Sequence, residues 1–245
     1  MDLLDLLFPK KCVGCGRWGK YVCRECEVGM WEEEQICPVC GRPSRYGEKH
    51  KYCQKPWSME GLSCFWAHEG ISRKLISEAK YRYYYDYLGE LLVDGLSFLD
   101  RPEFAKLREF LGTRPVVVGV PLHPRRLRER GFNQAEVIAR QLSKRFEIFD
   151  LRLEVETGLL KRIRDTGKQV GRTREKRLET MKGAFVVNSK FKHKNSNQIQ
   201  NSKFQLTKNV LLVDDVWTTG ATLSECAKVL KQAGVKSVWG LVLAR

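Results

Sequence analysis

The segment Val210 to Thr222 reads VLLVDDVWTTGAT: an apolar run, two adjacent carboxylates, then a Thr-Thr-Gly turn ahead of a helical pattern. A strand that breaks into such a turn and restarts as a helix aims backbone N–H groups and the positive helix end at one point, where a phosphate is held. Gly220 permits a close backbone approach, and Thr218, Thr219 and Thr222 add hydroxyl donors. The loop suits a phosphate monoester. It has neither the Gly-x-x-x-x-Gly-Lys-Ser/Thr spacing of a triphosphate cradle nor the Gly-x-Gly-x-x-Gly of dinucleotide folds, so ATPase and dehydrogenase readings fall away. Asp214 and Asp215 at a strand's end also suit Mg²⁺ ligation or plain solvation, but neither alternative accounts for the Thr-Thr-Gly-x-Thr that follows.

The second chemical signal lies near the amino terminus. Cysteines fall there as Cys12-x-x-Cys15, Cys23-x-x-Cys26 and Cys37-x-x-Cys40, followed by His50-x-x-Cys53. Each pair can form a knuckle whose side chains face one tetrahedral Zn²⁺, with Gly16 and Gly41 where the turn wants a small residue. In chain order the two structural sites are Cys12, Cys15, Cys23, Cys26 and Cys37, Cys40, His50, Cys53. A cross-braced order, first pair with third, stays open, and Cys64 is the alternative to His50 if its loop folds back. Eight of the nine cysteines lie within the first 64 residues, and serial knuckles weigh against both a disulfide scaffold and thiol exchange. Zinc would supply folding energy that so polar a stretch cannot. Cys226, in the helical stretch after the phosphate loop, is expected in the core.

These groups need a frame to hold them. From Arg114 onward short β-branched runs alternate with helical stretches: VVVGV, Phe132 to Phe146, GAFVV, VLLVDD, Leu223 to Ala233 and VWGLVL. Buried strands alternating with helices predict an α/β fold, a parallel sheet flanked by helices. Residues 54 to 63 read as a connector, and Ile71 to Leu99 as two helices. The expected division is a cysteine module over residues 1–57 and a larger domain over 58–245. Residues 188 to 209, with five lysines, His193 and no acid, read as an exposed excursion of the larger domain. Leu3, Leu4, Leu6 and Leu7 make an apolar turn ended by Pro9, expected to lie as a lid on its own domain.

The 245 residues carry a formal charge of +15, which calls for an anionic partner without choosing among nucleotide, nucleic acid and acidic surface. The first residues lack the basic leader and long apolar core of a secretory signal, and no stretch approaches the roughly 20 apolar residues of a membrane span. A soluble cytoplasmic protein is expected.

The strand, the two acids and the Thr-Gly turn resemble the phosphoribosyl pyrophosphate signature of type I phosphoribosyltransferases. Pro121-x-His123-x-x-Arg126-x-x-x-Arg130-Gly131-Phe132-Asn133-Gln134 resembles the segment that marks the ComF family among them, and the resemblance extends over almost the whole chain. It implies a type I phosphoribosyltransferase-like sheet behind a double zinc ribbon; His50 departs from it, standing where relatives resemble Cys-x-x-Cys. Asp214 and Asp215 would hold the ribose 2′- and 3′-hydroxyls, and Trp217, Thr218, Thr219, Gly220, Ala221 and Thr222 would enclose the 5′-phosphate. Leu122, His123, Pro124, Arg125 and Arg126 would form the pyrophosphate loop. The stretch from Leu159 to Phe185 resembles the family's mobile loop region, with Thr166, Gln169, Arg172, Arg174 and Arg177 on its pattern. Mg²⁺ would be carried largely by substrate oxygens.

Two functions follow from the resemblance. One is transfer of a phosphoribosyl group to an unidentified acceptor with release of pyrophosphate, where positioning and charge stabilisation do the catalysis. The other is a non-catalytic accessory protein that binds single-stranded DNA and keeps the phosphoribosyl pyrophosphate site as a regulatory one. ComF relatives are associated with natural transformation, so DNA-uptake proteins join single-stranded DNA as implied partners. The nine Lys and Arg against three acids in residues 161 to 182 offer phosphate contacts, and Trp217, Phe191 and Phe204 offer stacking surfaces.

Overall fold

Val-Leu-Leu-Val and Val-Trp-Gly-Leu-Val-Leu present no polar face, so a sheet built from them has to be covered on both sides. The computed structural model, which describes residues 10–81, 86–148, 150–167, 173–191 and 208–245, meets that demand. In chain order come β1 (Gly61–Trp66), α1 (Gly70–Tyr81), α2 (Asp86–Leu96), α3 (Ala105–Gly112), β2 (Val116–Gly119), α4 (Pro124–Arg130) and α5 (Gln134–Glu147). They are followed by β3 (Leu160–Arg162), α6 (Arg174–Met181), β4 (Phe185–Val187), β5 (Val210–Val216), α7 (Ala221–Gln232) and β6 (Val238–Ala244). The main sheet runs β1-β6-β5-β2, with all three pairings parallel. Trp66, Ala244 and Val216 are in register, so β1, β6 and β5 end level. The loops that follow open onto one edge, where ligands of parallel α/β sheets gather.

Alternation along the strands builds two cores. Val117, Leu211, Val213, Leu241 and Leu243 pack with Ile76, Leu88, Leu91, Leu107, Ile138 and Leu142 of α1, α2, α3 and α5. Val116, Val118, Leu212 and Val242 pack on the other face with Leu223, Cys226, Ala227 and Leu230 of α7. Cys226 is thus a core residue, as the sequence suggests. No helix among the described residues is long and apolar enough to cross a membrane.

Two sequence expectations need correction. GAFVV does not join the parallel sheet: β4 pairs antiparallel with β3, with Leu160 opposite Val187 and Arg162 opposite Phe185. Its three residues lie over α7, where Phe185 is fully buried. The stretch read as a connector instead contains the start of β1, disguised by Gly61 and Ser63. A Cβ at Gly61 would sit 2.3 Å from the Trp239 ring, and the buried Ser63 hydroxyl accepts the Trp239 indole N–H at 3.1 Å.

The cysteine module does not stand apart. Val13 and Tyr21 belong to the first core and Ile36 to the second, and the Tyr21 ring meets Tyr87 edge-on at 4.3 Å. Leu62 N–H donates to Gly47 O at 2.8 Å, while the Gln35 amide accepts from Cys64 N–H at 3.1 Å and donates to Cys64 O at 2.7 Å. The module therefore covers the outer edge of β1, which would otherwise be an open template for another strand.

Candidate phosphate site and metal centres

β5 delivers Asp214 and Asp215 to the sheet edge, and the chain then turns tightly into α7. Gly220 caps that helix with φ 76°, and a Cβ there would lie 2.2 Å from Trp217 Cζ2. Trp217 is buried beneath the turn and its N–H donates to Ala244 O at 2.9 Å. It is therefore a floor for the loop, and its expected role as a stacking surface for bases is withdrawn. The α7 amino terminus carries the N–H donors that every helix start leaves without internal partners. Thr218 Oγ1 on the rim accepts from Arg177 Nη1 at 2.9 Å.

Asp215 N–H donates to Asp214 Oδ1 at 2.9 Å, and Asp215 Oδ2 pairs with Lys80 Nζ at 2.8 Å. Burial of the Asp214 carboxyl, followed by the charge of Asp215, raises its pKa to about 7. The Asp215 N–H, Lys80 and Arg162 pull the other way without prevailing. His68 follows β1 at the same edge, its N–H donating to Arg245 O at 2.7 Å. Burial, then Lys80 and Arg73, lower its pKa against the opposing charge of Asp215, which favours the neutral imidazole. Sequence reasoning passed over Lys80 and His68, since neither belongs to a motif and only the packing of α1 and the end of β1 brings them here.

The second loop leaves β2 at Val120. Asn133 Nδ2 donates to Val120 O at 3.1 Å while its Oδ1 accepts Ala135 N–H at 3.2 Å, so one side chain both pins the loop and caps α5. Half-buried Leu122 precedes His123, whose Nδ1 accepts Arg125 N–H at 3.4 Å, and Pro124 occupies the first position of α4. Arg125 pairs with Glu129 at 3.0 Å and Asp165 at 3.7 Å, and Arg126 donates to Gly167 O. The residues after β3 are thereby tied to this loop.

Arg162 in β3 is a further residue that sequence reasoning did not single out. It is 8% exposed, donates to Thr166 Oγ1, lies over the Phe185 ring at 5.4 Å, and has a buried Nε with no hydrogen-bond partner among the described residues. Burial, then the neighbouring Arg126, depress its pKa, and Asp214 and Asp165 oppose them. Its only signal was position in a basic stretch. Gln169 and Arg172 lie outside the described residues, and Arg174 opens α6.

CVGCGR (residues 12–17) and CPVCGR (residues 37–42) fold into matching knuckles. Cys12 N–H donates to Arg17 O at 2.7 Å and Gly16 N–H to Cys12 O at 2.8 Å; Cys37 and Arg42, then Gly41 and Cys37, repeat this at 2.9 Å each. Gly16 and Gly41 take φ of 80° and 73°, which permits the reversal. Cys23 precedes a single helical turn (Arg24–Glu27) that contains Cys26, and His50 precedes a 3₁₀ turn (Lys51–Cys53) that ends on Cys53. The ligand atoms of Cys12, Cys15, Cys23 and Cys26 lie within 4.8 Å of one another, as do those of Cys37, Cys40, His50 and Cys53. The grouping follows chain order, not a cross-braced one. Cys64 is absent from it; buried in β1, its thiol donates to Trp66 O at 3.4 Å.

These donor sets suit a tetrahedral soft cation. Burial resists ionisation of Cys12, but the N–H groups of Cys15, Cys23 and Gly14 outweigh it and bring the thiol to about 6. Cys37 is brought to about 7 in the same way by Cys40, His50 and Val39. His50 Nε2 lies 3.0 Å from Pro43 O, a contact in which it donates its proton and leaves Nδ1, 3.4 Å from Cys40 Sγ, as the ligand atom.

Comparison with known proteins agrees with this layout. Residues 3–55 match the double zinc ribbon domain family and residues 107–245 the phosphoribosyl transferase domain family. Competence protein F of Haemophilus influenzae is 34% identical over 142 residues, a match spanning 57% of this chain and 55% of that protein, about half its length. Competence protein ComFC of Streptococcus pneumoniae is 29% identical over 257 aligned positions, 96% of this chain and 100% of that protein. DNA utilization protein YhgH of Escherichia coli K12 is 26% identical over 252 positions, covering 94% and 92%.

Proposed function

Since this chain belongs to the phosphoribosyl transferase domain family and carries in front of it the double zinc ribbon of ComF proteins, we propose that it binds phosphoribosyl pyrophosphate with Mg²⁺ at the carboxyl edge of its sheet. The observation that carries the reading is the meeting of three different groups at that edge. A monoester loop (Thr218 to Thr222), a carboxylate pair (Asp214 and Asp215) and an arginine loop (Arg125 and Arg126) correspond to the phosphate, hydroxyls and pyrophosphate of one ligand. The carboxylates accept the ribose hydroxyls, α7 and its threonines hold the 5′-phosphate, and the arginines face the leaving pyrophosphate. Asp214 and Asp215 would help to hold Mg²⁺, carried largely by the ligand's own oxygens, and the ion would neutralise charge on the pyrophosphate. As the C1′–O bond breaks, its electron pair leaves with pyrophosphate and a lone pair of the acceptor forms the new bond to C1′, so the chain needs to orient and stabilise rather than supply a nucleophile. The two ribbon clusters take Zn²⁺ in a structural role, one as Cys₄ and one as Cys₃His.

Calorimetric titration of zinc-loaded protein with phosphoribosyl pyrophosphate, with and without Mg²⁺, tests this. Mg²⁺-dependent binding that Asp214→Asn with Asp215→Asn removes is the expected result, and pyrophosphate release then reports which acceptors turn over. No binding by folded protein sinks the reading.

A second role is favoured by the +15 charge and by the names of the relatives, which are competence and DNA utilization proteins. In it the chain binds single-stranded DNA in the cytoplasm and works with DNA-uptake proteins. Affinity for an oligonucleotide that falls steeply with salt and survives the double Asp→Asn change supports it; salt-independent affinity counts against it.

A further inference from the structure

Arg177 lies on the strand-to-helix segment resembling a mobile loop, yet its surroundings are those of the other phosphate site. The α6 start is fixed by Thr173, whose hydroxyl accepts Lys176 N–H at 3.4 Å and whose carbonyl accepts Arg177 N–H at 3.0 Å. α6 packs against α7, and this directs Arg177 Nη1 onto Thr218 Oγ1 at 2.9 Å. Its Nε is buried with no hydrogen-bond partner among the described residues, and no carboxylate there lies within ion-pair distance. Arg125, by contrast, is paired with Glu129 and Asp165, and Arg126 is occupied by Gly167 O. A guanidinium on the Thr218 hydroxyl, at the loop that starts α7 and with no carboxylate in ion-pair range among the described residues, leaves charge that an anion in the loop would neutralise.

We propose that Arg177 reads the terminal phosphate monoester in the Thr218–Thr222 loop, so that α6 answers to the 5′-phosphate and not to pyrophosphate. The inference rests on the phosphoribosyl pyrophosphate reading and specifies one end of that ligand. The recognised chemistry is a monoester dianion, found both on a pentose 5-phosphate and on the 5′-phosphorylated end of a nucleic acid strand. Loss of a charge-assisted hydrogen bond is worth about tenfold in affinity or more.

The test uses the full zinc-loaded chain as wild type, Arg177→Gln and Arg177→Lys, titrated separately with ribose 5-phosphate and inorganic pyrophosphate. Zinc content and melting temperature establish that each variant is folded. Arg177→Gln is expected to weaken ribose 5-phosphate about tenfold while pyrophosphate stays within about twofold, and Arg177→Lys to fall between, keeping the charge but losing the fork. Equal weakening of both ligands, or none of ribose 5-phosphate, overturns the assignment. If wild type binds neither ligand, the underlying site reading fails instead. A parallel pair of oligonucleotides, 5′-phosphorylated and 5′-hydroxyl, separates the sources. A phosphate-dependent preference erased by Arg177→Gln supports the assignment with a strand end as ligand; no preference, with the ribose 5-phosphate effect present, supports it with a sugar phosphate.

Discussion

Lys80 Nζ lies 2.8 Å from Asp215 Oδ2, with side chains 23% and 14% exposed. The pair ties α1, which no phosphate-binding motif touches, to the second acid of the β5 pair. It also places a cation where two adjacent carboxylates would otherwise repel, and so it holds the apo site together.

Removing the lysine takes from Asp215 its ion-pair partner beside Asp214. Lys80→Met is expected to cost about 1–3 kcal/mol of folding stability, because a largely buried charge loses its partner. Urea unfolding measures the loss, and the Lys80→Met, Asp215→Asn double variant should recover part of it. Additive losses would mean that the two residues are energetically independent.

Asp214 titrates at about 7 in the folded protein, against an ordinary 3.8, because of its burial and then Asp215. Between those values the unfolded chain has released this proton and the folded chain keeps it. Stability from this group is therefore present at low pH and lost as pH rises from about 3.8 to 7. Asp214→Asn should flatten that slope and stabilise the apo protein at pH 8 by at least about 1 kcal/mol, one pKa unit being worth about 1.4. Ligand affinity should run oppositely, rising through pH 7 as the carboxylate becomes free to accept a ribose hydroxyl. Melting curves and calorimetry at pH 5, 6, 7 and 8 check both trends, and parallel slopes for wild type and Asp214→Asn would exclude this carboxyl as their source.

The strand, turn and helix that carry Asp214, Asp215 and Thr218–Thr222 were legible in the sequence because they are contiguous, so local pattern names them together. Lys80 and Arg162 were not, because 135 residues separate Lys80 from Asp215 and only tertiary packing makes them neighbours. β1 was hidden by Gly61 and Ser63, whose polarity and lack of a side chain are satisfied by Trp239 from β6. GAFVV had the composition of a sheet strand, but with three paired residues it serves as a flap over α7. Trp217 looked available to a ligand because sequence does not show which aromatic lies under a glycine turn.

The Cys₃His cluster makes a prediction about substitution. His50→Cys should retain two zinc ions per chain, since the second cluster then repeats the four-thiol set of the first. His50→Ala should weaken the second site about a hundredfold or more and loosen the β1 edge, where Lys49 N–H donates to Glu60 O at 2.9 Å. Zinc released to a chromogenic chelator counts the sites. Two ions held equally tightly by His50→Ala would show that histidine is not a ligand.

The floor of the phosphate loop gives the most exacting test. Gly220 combines φ 76° with a Trp217 ring atom 2.2 Å from where a Cβ would stand. Gly220→Ala therefore meets two separate penalties, about 1–2 kcal/mol for a left-handed backbone and about 1–3 kcal/mol for overpacking. Trimming the ring in Trp217→Leu, Gly220→Ala relieves the second but not the first. The double variant should thus regain stability over Gly220→Ala in urea unfolding yet still bind ribose 5-phosphate more weakly than Trp217→Leu alone, because the displaced backbone no longer aims its N–H groups at the phosphate. If binding recovers together with stability, the steric clash was the whole defect and the left-handed turn is not what shapes the site.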